Sequence, residues 1–222
     1  MAHIRTIRDV AGLVEAGLVD ETARVALEKV GARYAVAVPP AFQALIEHAD
    51  DPIAQQVVPH ADELVMAGHE QADPIGDERF SPMKGIVHRY PDRVLLKPLL
   101  ACPIYCRFCF RREQVGPDGG TLTEAELAAA YAWVRDRPDI REVILTGGDP
   151  LMLSPRRLGD ILAELSAIPH VELLRVHTRV PVAMPERMTA ELAEALAREA
   201  PIWVVVHANH ARELSPAART GL

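Results

Sequence analysis

The only three cysteines of this chain lie together in the short segment Cys102–Cys109. Their spacing is C-x3-C-x2-C, and Phe108 directly precedes the last of them. Three thiolates can bind three irons of a [4Fe–4S] cluster, whereas an ordinary electron-carrying cluster takes four protein ligands. The fourth iron would then be open to a small molecule. No other segment constrains the fold as strongly, because this loop must hold three soft donors around one cluster.

Two alternatives compete for these cysteines. Zinc could bind the three thiolates with one histidine, although structural zinc sites usually arise from C-x2-C pairs separated by a longer loop. A disulfide framework is disfavoured, because the number of cysteines is odd and no secretory signal opens the chain. The spacing resembles the motif of radical S-adenosylmethionine (SAM) enzymes. In those enzymes SAM binds the open iron, and its cleavage gives a 5′-deoxyadenosyl radical.

Composition predicts one ordinary domain with a small N-terminal appendage. The chain has 222 residues, of which 49% are hydrophobic, and its formal net charge is −7. That charge argues against a general nucleic-acid surface. No apolar run approaches the roughly 20 residues of a membrane span. An oxygen-sensitive cluster and the absence of a targeting segment lead us to expect a cytoplasmic protein.

The pattern of apolar residues along the sequence changes near residue 93. Residues 1 to about 75 predict short amphipathic helices over Val10–Val19, Thr22–Val30 and Ala41–His48, and residues 71–92 predict loops. Beyond them, apolar runs alternate with helical patterns, which is typical of a parallel α/β sheet covered by helices. The predicted strands are Arg93–Leu100, Glu142–Leu145, Val171–Val176 and Ile202–Val206, and the predicted helices follow Thr123, Ser154, Thr189 (through Ala200) and Ser215.

Four polar segments each follow one of these strands. They are the cysteine loop, Gly147-Gly148-Asp149, His177-Thr178-Arg179 and His207–His210. Chemistry in parallel α/β folds collects at the carboxyl ends of the strands, so we expect these segments to lie on one face.

The stretches HRYPDR at 88–93, CPIYCRFCFRR at 102–112 and TGGDPL at 146–151 resemble the lysine 2,3-aminomutase family of radical SAM enzymes. The likeness runs from about residue 75 to the end of the chain. It implies an α/β fold that is a partial radical SAM (β/α) barrel, with about four of six strands. Residues 1–92 would form a helical and loop region ending in a segment that contacts pyridoxal 5′-phosphate (PLP), and residues 93–222 a C-terminally incomplete radical SAM core.

The resemblance also implies an activity. Family members move the α-amino group of lysine to the β-carbon, using a [4Fe–4S] cluster, SAM and PLP. The expected partners are therefore an amino-acid substrate, with L-lysine first, an external electron donor, and a second copy in a homo-oligomer. No nucleic-acid or membrane partner is expected.

Residue by residue, the resemblance assigns the cluster to Cys102, Cys106 and Cys109. For SAM it assigns Phe108, the loop Gly147, Gly148 and Asp149, and His207. Each has an ordinary structural alternative: a packing aromatic for Phe108, a tight turn for the glycines and a hydrogen-bonded strand end for His207.

For the substrate, the resemblance assigns Arg111 to the carboxylate, a role that suits a planar bidentate donor. Arg89, Tyr90 and Arg93 match the PLP segment, and solvated surface arginines are their alternative. The PLP-anchoring lysine of the family would lie past Leu222. Lys97 is interpreted as a structural or ligand-facing residue instead.

Three other functions stay open. The enzyme could act on glutamate, or on lysine destined for attachment to elongation factor P. The chain could also be a truncated, non-catalytic remnant that binds a cluster, since an incomplete barrel leaves apolar strand edges uncovered.

Overall fold

The N-terminal third of the chain forms short helices, as the sequence predicts. The computed structural model describes residues 5–197 and 201–222. Two of its first three helices are shorter than predicted, since α1 spans Val10–Glu15 and α3 spans Pro40–Gln43. The helix α2 spans Arg24–Arg33, so it begins and ends a few residues later than predicted. Several 3-10 turns connect them to the sheet, because Gly and Pro recur in this part of the chain and interrupt regular helices.

Five strands form one sheet in the order β1-β2-β3-β4-β5. The last four are parallel and agree closely with the predicted strands. The first was missed: β1 pairs antiparallel with β2 through the turn at Pro91-Asp92, within a stretch predicted to be loop. The strands are β1 (Ile86–Tyr90), β2 (Arg93–Leu99), β3 (Glu142–Gly147), β4 (Leu173–Thr178) and β5 (Ile202–Val206).

Helices cross over between the parallel strands, which gives the predicted α/β class and a partial (β/α) barrel. Thr123 and Glu126 form a reciprocal capping box at the start of α4, and Ser154 caps α5. The predicted end of α7 at Ala200 lies outside the described residues. The later helices are α4 (Glu124–Arg135), α5 (Pro155–Ser166), α6 (Val180–Ala183), α7 (Ala190–Leu196) and α8 (Pro216–Gly221).

The two faces of the sheet differ in chemistry. One face packs on the crossover helices through buried residues such as Leu96, Leu145 and Val176. The opposite face carries Lys97, Arg175 and other half-buried polar residues. Because side chains alternate along a strand, this pattern places the charged residues on the face of the sheet opposite the crossover helices.

A second hydrophobic cluster belongs to the N-terminal region. It is centred on residues such as Leu13, Val30 and Phe42, and it also includes Ile104 of the cysteine loop and Ala183 of α6. The N-terminal helices therefore pack directly against the loop that carries the cysteines. The boundary at 92/93 stays a prediction, and β1 and β2 pair across it.

Candidate functional site

The cysteine loop begins directly after β2, at the carboxyl edge of the sheet. A tight turn closes within it, where the Cys109 backbone N–H donates to the Cys106 carbonyl at 3.0 Å. All three thiols are free and half-buried. Cys102, Cys106 and Cys109 line one small cavity of about 40 Å³. The fold therefore places the three predicted ligands around the same cavity.

Three soft thiolates are a donor set that suits an iron–sulfur cluster. Among the described residues, no three His, Cys, Asp or Glu side chains are grouped to hold one metal ion. In a cubane each thiolate binds a different iron, so the sulfurs need not converge on one point. Burial raises the pKa of the Cys102 thiol, and burial likewise raises that of Cys109. Iron would have to displace these protons on binding.

Gly147 and Gly148, at the end of β3, pack against the start of the cysteine loop. Gly147 has a φ of +108°, and a Cβ at Gly148 would lie 2.3 Å from the Ala101 carbonyl oxygen. The Gly148 N–H donates to the Leu99 carbonyl at 2.9 Å. Both glycines are thus required by the close approach of residues 99–101, before any ligand is considered.

Asp149 turns away from solvent and stabilises the neighbouring strand end. Its carboxylate accepts hydrogen bonds from the Thr178 hydroxyl at 2.7 Å and from the Arg179 backbone N–H at 2.7 Å. Burial raises the pKa of Asp149, against the effect of these hydrogen bonds. The Asp149 side chain, within the predicted SAM loop, therefore links the end of β3 to the end of β4 by hydrogen bonds.

Phe108 and His207, the other predicted SAM contacts, lie side by side. Their ring centroids are 6.2 Å apart in an edge-to-face arrangement, and both side chains are exposed. Phe108 also lines an open cavity of about 480 Å³ beside Cys109. Pockets for small molecules commonly have this size. An exposed aromatic pair next to the cysteines is suited to hold an adenine ring.

The predicted PLP residues surround another cavity, of about 290 Å³. Arg89, Tyr90 and Arg93 line it together with Arg175 of β4 and Asp77. Arg93 lies over the Tyr90 ring at 4.6 Å, while Arg175 forms an ion pair with Glu142. Three guanidinium groups around one cavity suit a phosphate group, because each can donate two hydrogen bonds to it.

Arg111 lies on the same side of the molecule, paired with a buried carboxylate. Its Nε and Nη2 atoms are 2.9 and 2.8 Å from the Asp77 Oδ2 atom. Lys97 is half-buried near this pair, and burial together with Arg111 lowers its pKa. Its Nζ atom lies 3.4 Å from the Gln114 side-chain oxygen. A substrate carboxylate would therefore meet a cationic surface whose charge Asp77 partly offsets.

Sequence reasoning missed Asp77, Gln56 and Glu213. Asp77 lies in a stretch predicted only as loop, and Gln56 lies in the N-terminal part that matches the family loosely. Glu213 has one local signal, because His210 and Glu213 have capping-box spacing and form that box. Their buried contacts join segments distant in sequence, which no local pattern reports.

In the described ranges 5–197 and 201–222, no helix has both the length and the apolar composition that crossing a membrane requires.

Comparison with known proteins gives one family match. Residues 96–219 match the model of the Radical SAM superfamily. That range contains all three cysteines, the Gly147–Asp149 segment and His207.

Three curated relatives of this chain are aminomutases. An L-lysine 2,3-aminomutase of Acetoanaerobium sticklandii is 40% identical over 182 residues, which cover 81% of this chain and 44% of the relative. An L-lysine 2,3-aminomutase of Escherichia coli is 37% identical, covering 85% of the chain and 56% of the relative. A glutamate 2,3-aminomutase of Clostridioides difficile is 35% identical, covering 85% and 45%. The chain thus spans about half the length of these relatives.

Proposed function

Because this chain belongs to the Radical SAM superfamily, we propose that it is the cluster- and SAM-binding part of an amino-acid 2,3-aminomutase, with L-lysine as substrate. One observation carries the proposal: three free thiols line a common cavity directly after β2, at the edge of the sheet where the other predicted ligand-binding segments also lie. We also propose that the protein is cytoplasmic. An external electron donor would reduce its cluster.

When bound, the cluster and SAM supply a hydrogen-abstracting radical, and PLP supplies a group that carries the migrating amine. The residues of the chain bind and orient these groups. Cys102, Cys106 and Cys109 would hold the cluster. Phe108 and His207 would flank the adenosine part of SAM, while Gly147 and Gly148 bring the end of β3 against the cysteine loop.

The PLP assignment is supported by the cavity around Arg89, Tyr90 and Arg93. Its guanidinium groups would bind the phosphate, and Tyr90 offers a ring face and a hydroxyl. Arg111 would bind the substrate carboxylate by sharing its charge between that group and Asp77. These residues would orient the substrate on the face of the sheet opposite the crossover helices.

Glutamate is a second candidate substrate, because a glutamate 2,3-aminomutase is among the relatives that match over 85% of the chain. A cationic surface also suits a second carboxylate. Among the described residues that line the cavity at Arg89, the one carboxylate is Asp77, and it is already paired with Arg111.

The test is anaerobic reconstitution of the chain with iron and sulfide, followed by SAM and a reductant. We expect about four irons per chain, a change in the spectrum of the reduced cluster when SAM is added, and release of 5′-deoxyadenosine. A protein that prefers zinc and does not respond to SAM would contradict the proposal. A stable cluster without SAM cleavage would indicate the non-catalytic remnant.

Replacing Cys106 with Ala should abolish cluster assembly, because two thiolates remain where the cluster needs three. Iron and sulfide analysis after reconstitution measures this directly. Ile104→Val is the matched control, since Ile104 is a buried neighbour in the same loop and its side chain has no donor atom. Full iron content in the Cys106 variant would show that the ligand assignment is wrong.

The substrate is tested separately, by adding PLP with either lysine or glutamate to protein that cleaves SAM. Formation of the β-amino acid from lysine supports the proposal, and formation from glutamate alone supports the second candidate. If neither product forms while SAM is cleaved, the radical SAM part of the proposal stands, and this chain does not by itself carry out the amino migration.

A further inference from the structure

Arg179 is a buried cation beside the cysteine loop. None of the predicted binding roles is assigned to it. It follows β4 directly, and its side chain is only 8% exposed. A charge in such a position is unfavourable unless it is paired and hydrogen-bonded. Its surroundings must therefore explain why an arginine is placed there.

One guanidinium nitrogen contacts a cysteine directly. The Nη1 atom of Arg179 donates to the Cys106 sulfur at 2.9 Å. The Nη2 atom donates to the Gln56 side-chain oxygen at 2.9 Å and to a Glu213 carboxylate oxygen at 2.8 Å. The same group thus joins a predicted cluster ligand to a buried acid.

The partners of Nη2 are themselves fixed. Glu213 is fully buried, and its carboxylate accepts a hydrogen bond from the Gln56 amide at 2.9 Å. The Asn209 amide donates to the Gln56 oxygen at 2.9 Å. Contacts from the N-terminal region and from the segment after β5 therefore hold the guanidinium in one orientation, with Nη1 directed at sulfur.

We propose that Arg179 is a positioning residue that acts through Cys106 to make the cluster easier to reduce. Hydrogen bonds to the sulfurs and net charge are two of the factors that set the reduction potential of iron–sulfur clusters. One-electron reduction by a low-potential donor adds negative charge to the cluster. A cation hydrogen-bonded to a thiolate ligand stabilises this reduced state more than the oxidised state.

Glu213 has a second effect in this arrangement. It holds the guanidinium against Cys106 while its negative charge reduces the field of Arg179 at the cluster. Removing the charge of Glu213 and removing the charge of Arg179 should therefore move the potential in opposite directions. A purely structural role for this network predicts no such opposition.

This inference depends on the proposed cluster, and the experiment separates the two. The full chain and its variants are reconstituted anaerobically, and the cluster potential is measured by titration followed by electron paramagnetic resonance. If the wild-type chain holds no cluster, the proposed function fails. If it holds one, the variants decide the role of Arg179.

Arg179→Gln should lower the potential by an amount equivalent to about a tenfold change in the equilibrium constant of reduction, or 59 mV for one electron. Arg179→Lys keeps a positive charge near Glu213 but loses the two separate guanidinium nitrogens that contact Cys106 and Glu213. The potential should therefore fall by less than in Arg179→Gln. An unchanged potential in both variants would overturn the inference, even if their iron content or thermal stability falls.

Arg212→Gln is the matched control. Arg212 also joins the N-terminal region to the segment after β5, by pairing with the buried Asp51 at 2.7 Å, and no hydrogen bond or ion pair of the described residues connects it to a cysteine. Its loss should reduce stability and leave the potential unchanged. If neither Arg179 variant holds a cluster, Glu213→Gln decides: a higher potential supports the inference, and an unchanged or lower one overturns it.

Discussion

Arg111 and Asp77 form a buried ion pair, and its contribution to stability can be measured separately from any role in binding a ligand. Both side chains are at most one-tenth exposed, and a second cation, Arg89, lies 3.5 Å from the Asp77 carboxylate. Removing one partner of a buried pair leaves an uncompensated charge, whereas replacing both can be nearly neutral. The Arg111 side chain thus has a structural role in addition to its proposed contact with a substrate carboxylate.

Arg111→Ala should therefore destabilise the protein by about 3 kcal/mol, because Asp77 stays buried without its main partner. Urea unfolding of the cluster-free protein measures this. The double variant with Asp77→Asn should recover most of the loss, since the amide carries no charge. If Arg111→Ala unfolds like the wild type, the ion pair contributes nothing and the residue is free for ligand.

At the scale of elements, the junction between β3 and the cysteine loop is set by backbone packing. Gly148 has no space for a side chain, because residues 100 and 101 pass directly above it. The Asp149 N–H continues the contact by donating to the Ala101 carbonyl at 2.9 Å. The loop that carries the cysteines is thus held by the end of the adjacent strand.

Gly148→Ala should cost about 3 kcal/mol, as an overpacked site next to rigid backbone does. It should also reduce iron uptake, since the start of the cysteine loop must move. Gly116→Ala is the control, because a Cβ there meets nothing within 4 Å. Normal stability and normal iron content in the Gly148 variant would contradict the packing at this junction.

The edge strand β5 presents apolar side chains to solvent. Trp203 is 64% exposed, and Val204 and Val205 are also exposed. In the described part of the chain β5 pairs on one side only, with β4. Uncovered apolar edges of this kind favour pairing with another chain.

The isolated chain should accordingly self-associate, and Trp203→Lys should weaken that association because a charged edge residue disfavours strand pairing. Sedimentation at several protein concentrations measures the effect. Val25→Lys is the matched control, since Val25 is 69% exposed but lies on α2. Equal association of the two variants would show that β5 is not responsible.

At the scale of the whole molecule, buried polar contacts tie the N-terminal region to the sheet. Asp51 is fully buried and pairs with Arg212, which follows β5. Burial acts to raise the pKa of Asp51, but hydrogen bonds from the Ile53 backbone and from Arg212 outweigh it and lower the pKa to about 2. The contact is therefore strongest when the carboxylate is ionised.

Because its folded pKa lies below the ordinary value of 3.8, Asp51 stabilises the protein above about pH 4 and loses this effect between about pH 4 and pH 2. Asp51→Asn should thus lower the unfolding midpoint at pH 7, with a difference from wild type that shrinks as the pH falls below 4. Thermal unfolding at several pH values tests this. Asp62→Asn is the control, since that side chain is 84% exposed, and a constant difference for Asp51 would contradict the prediction.

Some of the site was predictable because its signals are local. The cysteine spacing, the Thr123 cap and the apolar runs of β2 to β5 each depend on neighbours in sequence, and the structure confirms the cap and these strands. The missed strand β1 lies among Gly and Pro residues, and its pairing depends on the turn at Pro91-Asp92. The roles assigned to Arg89, Tyr90 and His207 stay predictions.

The sequence by itself determined the donor set that this chain can offer a metal centre, because its three thiols lie at fixed spacing whatever surrounds them. Only the tertiary structure decided which groups surround Cys106. Arg179, Gln56 and Glu213 come from three distant segments, and their contact depends on how the N-terminal region packs against the sheet. The physical reason is that buried charges are stabilised by partners in space, and sequence patterns report only partners along the chain.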